Sequence, residues 1–230
     1  MIQDAAPLLH QFEMKRASAR SELKIDSPDL PRSGLETLAI EQFERDAYEL
    51  LALEGAKLVD SSFSGLRFDS CVLHRFELNR SRLPNLKLLD VRIEKSSAAN
   101  GEWPKASLRR VEIIGSRLTG LTIAEGELAD VSFNDCRIDY LRLANSKLRN
   151  VRFEGCVLTE ADFMESNLES VAFIGCDLRK AGLTHAKLTN VDLRGSKIDG
   201  LEIKAAQFSE LTIDPPQAVT IVQMLGAKIV

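Results

Sequence analysis

Four consecutive stretches of equal length align with their apolar side chains in columns. The stretches are VSFNDCRIDYLRLANSKLRN (residues 131–150), VRFEGCVLTEADFMESNLES (151–170), VAFIGCDLRKAGLTHAKLTN (171–190) and VDLRGSKIDGLEIKAAQFSE (191–210). Valine opens all four, while phenylalanine stands third and cysteine sixth in the first three. Self-similarity at a fixed period of this length indicates a solenoid of stacked, nearly identical turns.

A shorter period of five residues runs inside each stretch. From Leu53 to Ile213, 31 of the 33 residues at every fifth position are Leu, Ile or Phe, and the exceptions are Ala98 and Trp103. These three residue types make up 57 of the 230 residues, so random placement would give about 8. A period of five matches neither an α-helix nor an alternating strand. It predicts a chain that turns a corner every five residues, with one large side chain inward on each of four sides.

Two of these segments resemble the pentapeptide-repeat family. They are ADF at residues 161–163, followed by MES, and GCDLRKAGL at residues 175–183, and the pattern covers about residues 51–213. The resemblance implies an all-β solenoid, a right-handed quadrilateral parallel β-helix of pentapeptide repeats with about eight coils. Parallel strands lie about 4.7–4.9 Å apart, so such a stack stands roughly 40 Å tall.

The repeats divide the chain into four parts. Residues 1–34 are expected to form an N-terminal extension, with a short helix near residues 7–23 and the linker IDSPDLPRSG. Residues 35–50 are predicted to form an N-terminal capping helix, because Leu38, Phe43, Ala47 and Leu50 fall near one side of a helix. The β-helix itself occupies residues 51–213.

Residues 214–230 are expected to form a C-terminal capping helix and tail. Asp214 is a suitable N-cap before Pro215, and Gly226 is a suitable residue after the helix end. The helix carries more apolar residues than a cap needs, which leaves a homodimer through this helix as the alternative. Those residues are Val219, Ile221, Val222 and Leu225.

The segment SSAANGEWPK, residues 96–105, departs from the repeat consensus without changing the repeat length. Ala98 and Trp103 still occupy central positions, and the small Ala98 and Gly101 would compensate the volume of an inward Trp103. The alternative is a bulge that turns Trp103 outward as a recognition element. Close-packed interiors rarely waste an aromatic side chain, which favours the inward position.

The formal charge of the chain is nearly balanced. Its 30 basic and 34 acidic residues give a net charge of −4, and residues 51–214 alone hold 23 basic and 24 acidic side chains. This balance disfavours a nucleic-acid partner and an anionic membrane surface. There is no long apolar run and no secretion signal, and the four cysteines lack CxxC spacing. We therefore expect a cytoplasmic protein with reduced thiols.

The sequence offers few candidates for chemistry. Cys136, Cys156 and Cys176 would stack in a line and offer a soft-metal or disulfide site, but Ser116 and Ser196 share their column, which favours a slot for small inward residues. The histidines at positions 10, 74 and 185 are far apart and form no recognisable triad. Phosphate-loop, dinucleotide and HExxH motifs are missing. We expect no catalytic, cofactor-binding or metal residues, and hence no enzyme.

Charged residues at equivalent positions of neighbouring coils should stack on the outside. We expect exposed ion pairs at Arg142–Asp162, Lys147–Glu127, Arg149–Glu169 and Asp177–Lys197.

The most direct functional expectation is a non-enzymatic protein-interaction scaffold with a protein partner. Some members of the resembled family modulate DNA gyrase by presenting an acidic, DNA-like rod, often as a dimer joined at the C-terminal ends. The resemblance therefore implies an alternative function, a modulator of DNA gyrase or topoisomerase. The balanced charge of residues 51–214 argues against this alternative. A ligand- or metal-binding protein is the second alternative.

Overall fold

The structure is a computed structural model of the 230-residue chain and describes residues 23–31, 34–39 and 43–228. Its strands are β1 (Glu36–Ala39), β2 (Ala47–Glu49), β3 (Leu51–Glu54), β4 (Arg67–Asp69), β5 (Val72–His74), β6 (Lys87–Glu94), β7 (Ser107–Ile114), β8 (Glu127–Asn134), β9 (Lys147–Glu154), β10 (Asn167–Ile174), β11 (Lys187–Asp192) and β12 (Leu211–Thr212). A 3-10 helix (Ala205–Glu210) and the α-helix α1 (Pro215–Met224) follow the last full coil. The predicted short helix near residues 7–23 and His10 lie outside, or almost wholly outside, the described residues.

Each strand stacks in parallel on the equivalent strand of the next coil. Val131 is paired with Val151 and Phe133 with Phe153, and isolated bridges such as Arg117 with Arg137 keep the same spacing on the other sides. We name the four sides faces A, B, C and D after the inward residues Leu128, Phe133, Ile138 and Leu143 and their equivalents in the other coils. Eight segments stack on face A, namely β2, β4 and β6 to β11. The predicted parallel solenoid of about eight four-sided coils is confirmed.

The corners between faces depend on one unusual backbone conformation. Nearly every fifth residue from Leu50 to Gly200 has a positive φ, between 49° and 76°. This left-handed conformation disfavours most L-residues and is most accessible to Gly, Asn and Asp, which occupy many of these corners. The corner amide donates to a carbonyl of the next coil, as Gly115 N does to Asn134 O at 2.9 Å. The hydrogen bond between coils therefore offsets the backbone strain at each turn.

The core is a set of columns running up the stack. Phe133, Phe153 and Phe173 stack with ring centroids 4.7 and 5.0 Å apart and planes within 7° of parallel. Trp103 is buried on face D beside the buried Gly101, whose Cα lies so close to the Ala98 carbonyl that an added Cβ would come within 3.1 Å of it. Trp103 therefore points inward, as predicted.

The N-terminal end corrects the prediction of a capping helix at residues 35–50. Residues 36–39 and 47–49 form strands β1 and β2, and Leu50 is 57% exposed rather than packed on a helix face. The reason is visible in the sequence: Leu38, Phe43 and Tyr48 continue the five-residue series upstream of Leu53. Inward aromatic positions in this register outweigh a coincidental helical spacing, so the solenoid begins earlier than predicted.

The first turn is shorter than the others and closes the core with aromatic rings. Leu38 pairs with Leu53, one pentapeptide short of the spacing between full coils, so this turn lacks one side. The Phe43 ring fills the open end, with its centroid 5.8 Å from those of Tyr48, Phe68 and Phe76. An aromatic plug therefore does what a capping helix was expected to do.

The C-terminal helix agrees with the prediction. It runs from Pro215 to Met224, the Asp214 side chain accepts from Gln217 N, and Gly226 follows with a φ of 90°. Ile221 and Met224 pack against the core. The helix thus covers the last coil with part of its surface.

Two glutamines satisfy backbone carbonyls that have no following coil to pair with. The buried Gln217 donates from Nε2 to Leu193 O at 2.5 Å and to Ser196 O at 2.8 Å, and its Oε1 accepts from Asp214 N at 2.9 Å. Gln207 makes the same pattern two sides earlier, on the carbonyls at positions 183 and 186. Each side chain replaces the strand pairing that ends here.

Residues 23–31 lie on the outside of the solenoid and form neither helix nor strand. We call this segment the strap.

The register of the core can be tested with one inward and one outward substitution. Leu168→Asp places an unpaired carboxylate in the core and should lower the free energy of unfolding by at least about 4 kcal/mol. Arg149→Ala, at an outward position of the preceding coil, should change it by no more than about 0.5 kcal/mol. Urea denaturation followed by far-UV circular dichroism measures both. Equal unfolding midpoints would contradict the assigned register.

The glutamine cap can be tested with a matched pair on α1. Gln217→Leu keeps the side-chain volume but leaves the Leu193 and Ser196 carbonyls unpaired, so we expect a loss of about 2 kcal/mol in unfolding free energy. Gln223→Leu, at an exposed position of the same helix, should have an effect within about 0.5 kcal/mol. If the two variants were equally stable, the buried amide would not be the cap.

Candidate interaction surfaces

The cysteine column is part of the hydrogen-bonded core. Cys136, Cys156 and Cys176 are free and buried, and each thiol donates to a carbonyl of the preceding coil, as Cys136 Sγ does to Ile113 O at 3.4 Å. Ser196 fills the same slot and donates to the Phe173 carbonyl at 2.8 Å. The prediction of a slot for small inward residues is confirmed.

The surroundings of these thiols disfavour cysteine chemistry. A hydrogen bond with the neighbouring Cys156 thiol, together with burial, raises the pKa of Cys136 above its ordinary value. Burial raises the pKa of the fourth cysteine, Cys71. Interaction with the neighbouring Cys156 side chain lowers the pKa of Cys176, but that thiol is buried as deeply as the others. Since a reactive thiolate must be both formed and accessible, none of the four meets both conditions.

The described residues offer no metal site. Among them, no group of three or more His, Cys, Asp or Glu side chains is placed to hold a metal ion.

The two described histidines are separated from each other and occupy different environments. His74 Nδ1 lies 2.7 Å from Glu54 Oε2, a carboxylate of the preceding coil that also pairs with Arg75. His185 is exposed and lines a shallow depression on face D with Glu160 and other polar residues. Both side chains lie outside the core, as predicted.

Vertical ion pairs occur, but mostly not those predicted. Lys147 Nζ lies 2.9 Å from Glu127 Oε1, so this pair is confirmed. The other three predicted pairs share the expected backbone register without forming an ion pair, and Asp177 binds Arg179 of its own coil at 2.7 Å instead. The vertical pairs that sequence reasoning missed are Lys57–Glu77, Arg80–Asp60, Arg82–Glu102, Arg92–Glu112, Lys105–Glu125 and Arg110–Asp90.

Register alone did not identify these partners, because a long side chain reaches both the next coil and the residue two places along. Arg152 and Arg194 also choose acidic residues of their own coil, Glu154 and Asp192. Rotamer choice between two nearly equal partners is not encoded in the repeat period.

Faces A and C of the solenoid are not acidic along their length. On face A, the outward column contains Arg67, Lys87, Ser107, Glu127, Lys147, Asn167 and Lys187. On face C, the corresponding column contains Lys57, Glu77, Ser97, Arg117, Arg137, Val157, Asp177 and Lys197. Mixed signs give no sustained negative field of the kind that imitates a DNA backbone.

Exposed apolar side chains of the described residues gather mainly in two places. Tyr140, Val157 and Met164 flank the corner between faces C and D, and Tyr140 is half exposed at a left-handed corner with a φ of 58°. A bulky residue in this conformation is uncommon and strained.

The second exposed apolar group is on α1 and its C-cap residue, Leu225. Val219, Val222 and Leu225 are exposed at 48%, 43% and 63%, at spacings of three residues. They form one stripe on the side of the helix that does not contact the core, while Ile221 and Met224 pack inward. We call these three residues the helix stripe.

Comparison with protein families agrees with this geometry. A family profile described as a pentapeptide repeat region matches residues 106–183, and a second, described as pentapeptide repeats, matches residues 176–210. The chain is a pentapeptide-repeat protein. The matched region lies within the coils described above, where each inward column repeats once per coil.

Solved structures of other pentapeptide-repeat proteins resemble the chain at low identity. QnrB1, a plasmid-mediated fluoroquinolone resistance protein, is 19% identical, with 85% of this chain and 98% of that chain covered and a TM-score of 0.34. HetL, involved in heterocyst differentiation regulation in the cyanobacterium Nostoc sp. strain PCC 7120, is 15% identical, with 84% and 92% covered and a TM-score of 0.28. A thylakoid-lumen protein of Arabidopsis thaliana is 19% identical, with 47% and 72% covered and a TM-score of 0.26. These likenesses carry no argument about function.

No curated protein sequence matches the chain significantly. Within the described part of the chain, no helix combines the length and apolar character needed to cross a membrane.

Proposed function

We propose that this pentapeptide-repeat protein is a non-enzymatic interaction scaffold that forms a homodimer through α1. The observation that carries the proposal is the helix stripe, which exposes Val219, Val222 and Leu225 at the end of the rod. Capping the last coil requires only the other side of the helix, where Gln217 and Ile221 contact the solenoid. An apolar stripe beyond the needs of the cap supports a protein contact.

A second copy of the chain suits this stripe. Two helices of the same sequence can place valine and leucine against each other across a twofold axis, and twofold homodimers are the commonest protein assemblies. The described helix has no acidic residue in its first turn and no basic residue in its last turn. Residues 215–224 carry no charged side chain, so two paired helices bring no like charges together along their length.

The faces of the solenoid suit partner proteins rather than a polyanion or a polyanion-binding site. Basic side chains are the more numerous in the outward columns of faces A and C, but acidic and uncharged residues interrupt them, so neither face carries a continuous charged stripe. The parallel stack forms an extended, regular surface of the kind that solenoids use for binding. Tyr140 and Met164 supply an exposed apolar contact flanking the corner between faces C and D. No described feature favours the gyrase-modulating alternative over this scaffold.

Other aspects of the proposal follow from the core. The thiols are buried in hydrogen-bonded slots rather than exposed in a cleft, which supports a non-catalytic role. Four free cysteines are also compatible with the reducing environment of the cytoplasm, the compartment we propose.

The dimer can be tested on the intact chain by light scattering after size exclusion. Wild-type protein should have twice the 25.5 kDa mass of one chain. Val222→Glu introduces two facing charges into the apolar contact and should shift the mass to that of one chain, with an unfolding midpoint close to that of wild type. Dilution of the wild-type protein should likewise lower its mass toward that of one chain.

The control is Ser107→Glu, which adds the same charge at an exposed outward position of face A, several coils from α1. This variant should remain dimeric. A monomeric wild type at high micromolar concentration, or equal dissociation by the two charges, would contradict a dimer through the helix stripe.

A further inference from the structure

The strap runs lengthwise over the coils instead of along a strand. Its first residue, Leu23, lines a shallow depression on face B with Arg152, Ala172 and Ile174. Asp29 N donates to Asp90 Oδ1 at 2.9 Å, about four coils lower in the stack. Four coils correspond to about 19 Å, and six residues reach this distance only when nearly extended. The strap is therefore an extended segment laid along the solenoid axis.

The strap presents one side to the solenoid and the other to solvent. Its apolar residues are half-buried, whereas its charged residues are exposed. The half-buried residues are Leu23, Ile25, Pro28 and Leu30, and the exposed residues include Lys24, Asp26, Ser27 and Asp29. This division is the pattern of an extended ligand on a surface.

The surface beneath the upper strap has two apolar outward residues, Ala172 and Ile174, bordered by the charged Arg152, Asp192 and Arg194. Along β10, the inward Val171 and Phe173 are buried as expected, but the outward Ala172 between them is only 3% exposed. Ile174, the next outward residue, is half-buried, and Ile114 occupies the equivalent column three coils lower. We call this outer strip of face B, with its border on face A at Asp90, the strap groove.

The lower end of the groove supplies polar recognition. Asp90 is buried and bound by Arg110, with Nε 2.6 Å from Oδ1, and it also accepts the Asp29 amide. The Arg110 guanidinium holds the pKa of the Asp90 carboxyl below its usual value, and the Asp29 amide acts in the same direction. Arg110 is in turn attracted to the strap carboxylate of Asp29. The groove therefore recognises both the backbone and the acidic character of its occupant.

The strap is held differently from every coil. It contains no strand, and the described backbone bond within it, Leu30 N to Pro28 O at 3.0 Å, is local. Coils, by contrast, are joined by continuous parallel ladders. A segment that lacks such a ladder opens more readily than the body on which it lies.

We propose that the strap groove is a docking site for an extended peptide with alternating apolar and carboxylate side chains, and that the strap occupies it as a displaceable intramolecular ligand. An external segment of the same chemistry reaches the groove only when the strap leaves. The inference deepens the proposed scaffold function, on which it rests, by naming one of its binding surfaces, and it is independent of the dimer through α1.

The test measures binding of a fluorescein-labelled peptide, LKIDSPDLP, to the full-length chain by fluorescence anisotropy. In Ile25→Asp/Leu30→Asp, two charges replace the half-buried anchors and release the strap. We expect this variant to bind the peptide at least tenfold more tightly than wild type, whose own strap competes at high effective concentration. Hydrogen exchange of residues 23–31 should accelerate in parallel. Asp29→Pro removes both the amide donor to Asp90 and the carboxylate attracted to Arg110, and provides a second released variant.

The location of the peptide-binding site is tested in the Ile25→Asp/Leu30→Asp variant, the released chain. One further substitution is placed in the strap groove and one on the opposite side of the solenoid. Ala172→Arg should abolish peptide binding, whereas Ala124→Arg, at an outward position on face D, should leave it unchanged. Peptide binding that is equal in wild type and both released variants would overturn the proposal, as would equal effects of the two arginines.

Two further measurements show whether the strap comes from the same chain and whether peptide binding is independent of the dimer. If the strap substitutions halve the mass in light scattering, the occupant comes from a second copy and the intramolecular assignment is wrong. Val222→Glu should leave peptide binding by the released chain unchanged. A monomeric wild type, with peptide binding by the released chain intact, would overturn the proposed dimer alone.

Discussion

Parallel hydrogen bonding between coils of equal length is the constraint on which the rest of the structure depends. Because each backbone group pairs with the equivalent part of the neighbouring coil, every full coil must have the same length and turn at the same places. The turns require left-handed backbone at nearly every fifth position, a strained state that coil-to-coil bonds compensate. Identical side chains then stack in columns, so the inside becomes uniformly apolar and the outside largely solvated.

This constraint explains why the body was predictable from the sequence. A central residue such as Leu148 is inward because the period places it there, and its neighbours must alternate. The cysteines were assigned correctly for the same reason, since a column shared with serine has room for a small side chain that can reach a carbonyl. The sequence also contains a signal for the left-handed corners that the prediction did not draw on. Gly, Asn and Asp recur two places after the central residue, as at Asp130 and Gly155.

The ends and the outer surface were less predictable, because no periodic pairing dictates them. At the N-terminal end, Phe43 fits both a helical spacing and the five-residue series, and tertiary burial beside Tyr48 decided between them. The strap groove depends on a non-repeating segment meeting Ala172, a contact that a repeat count cannot reveal. The two proposed interaction surfaces, the helix stripe and the strap groove, therefore both involve a segment outside the repeat.

The most direct test of the account is the rise per coil. Arg67, Lys147 and Lys187, all outward on face A, can be replaced by cysteine and spin-labelled in pairs. Burial keeps the native thiols from reacting with the label. Pulsed electron paramagnetic resonance then measures the distance between the two labels of each pair. The stacked register predicts separations that grow by about 4.8 Å for every coil, giving about 19 Å for positions 67 and 147 and about 29 Å for positions 67 and 187. Separations that fail to grow in proportion to sequence distance would contradict the uniform stack and every surface assigned from it.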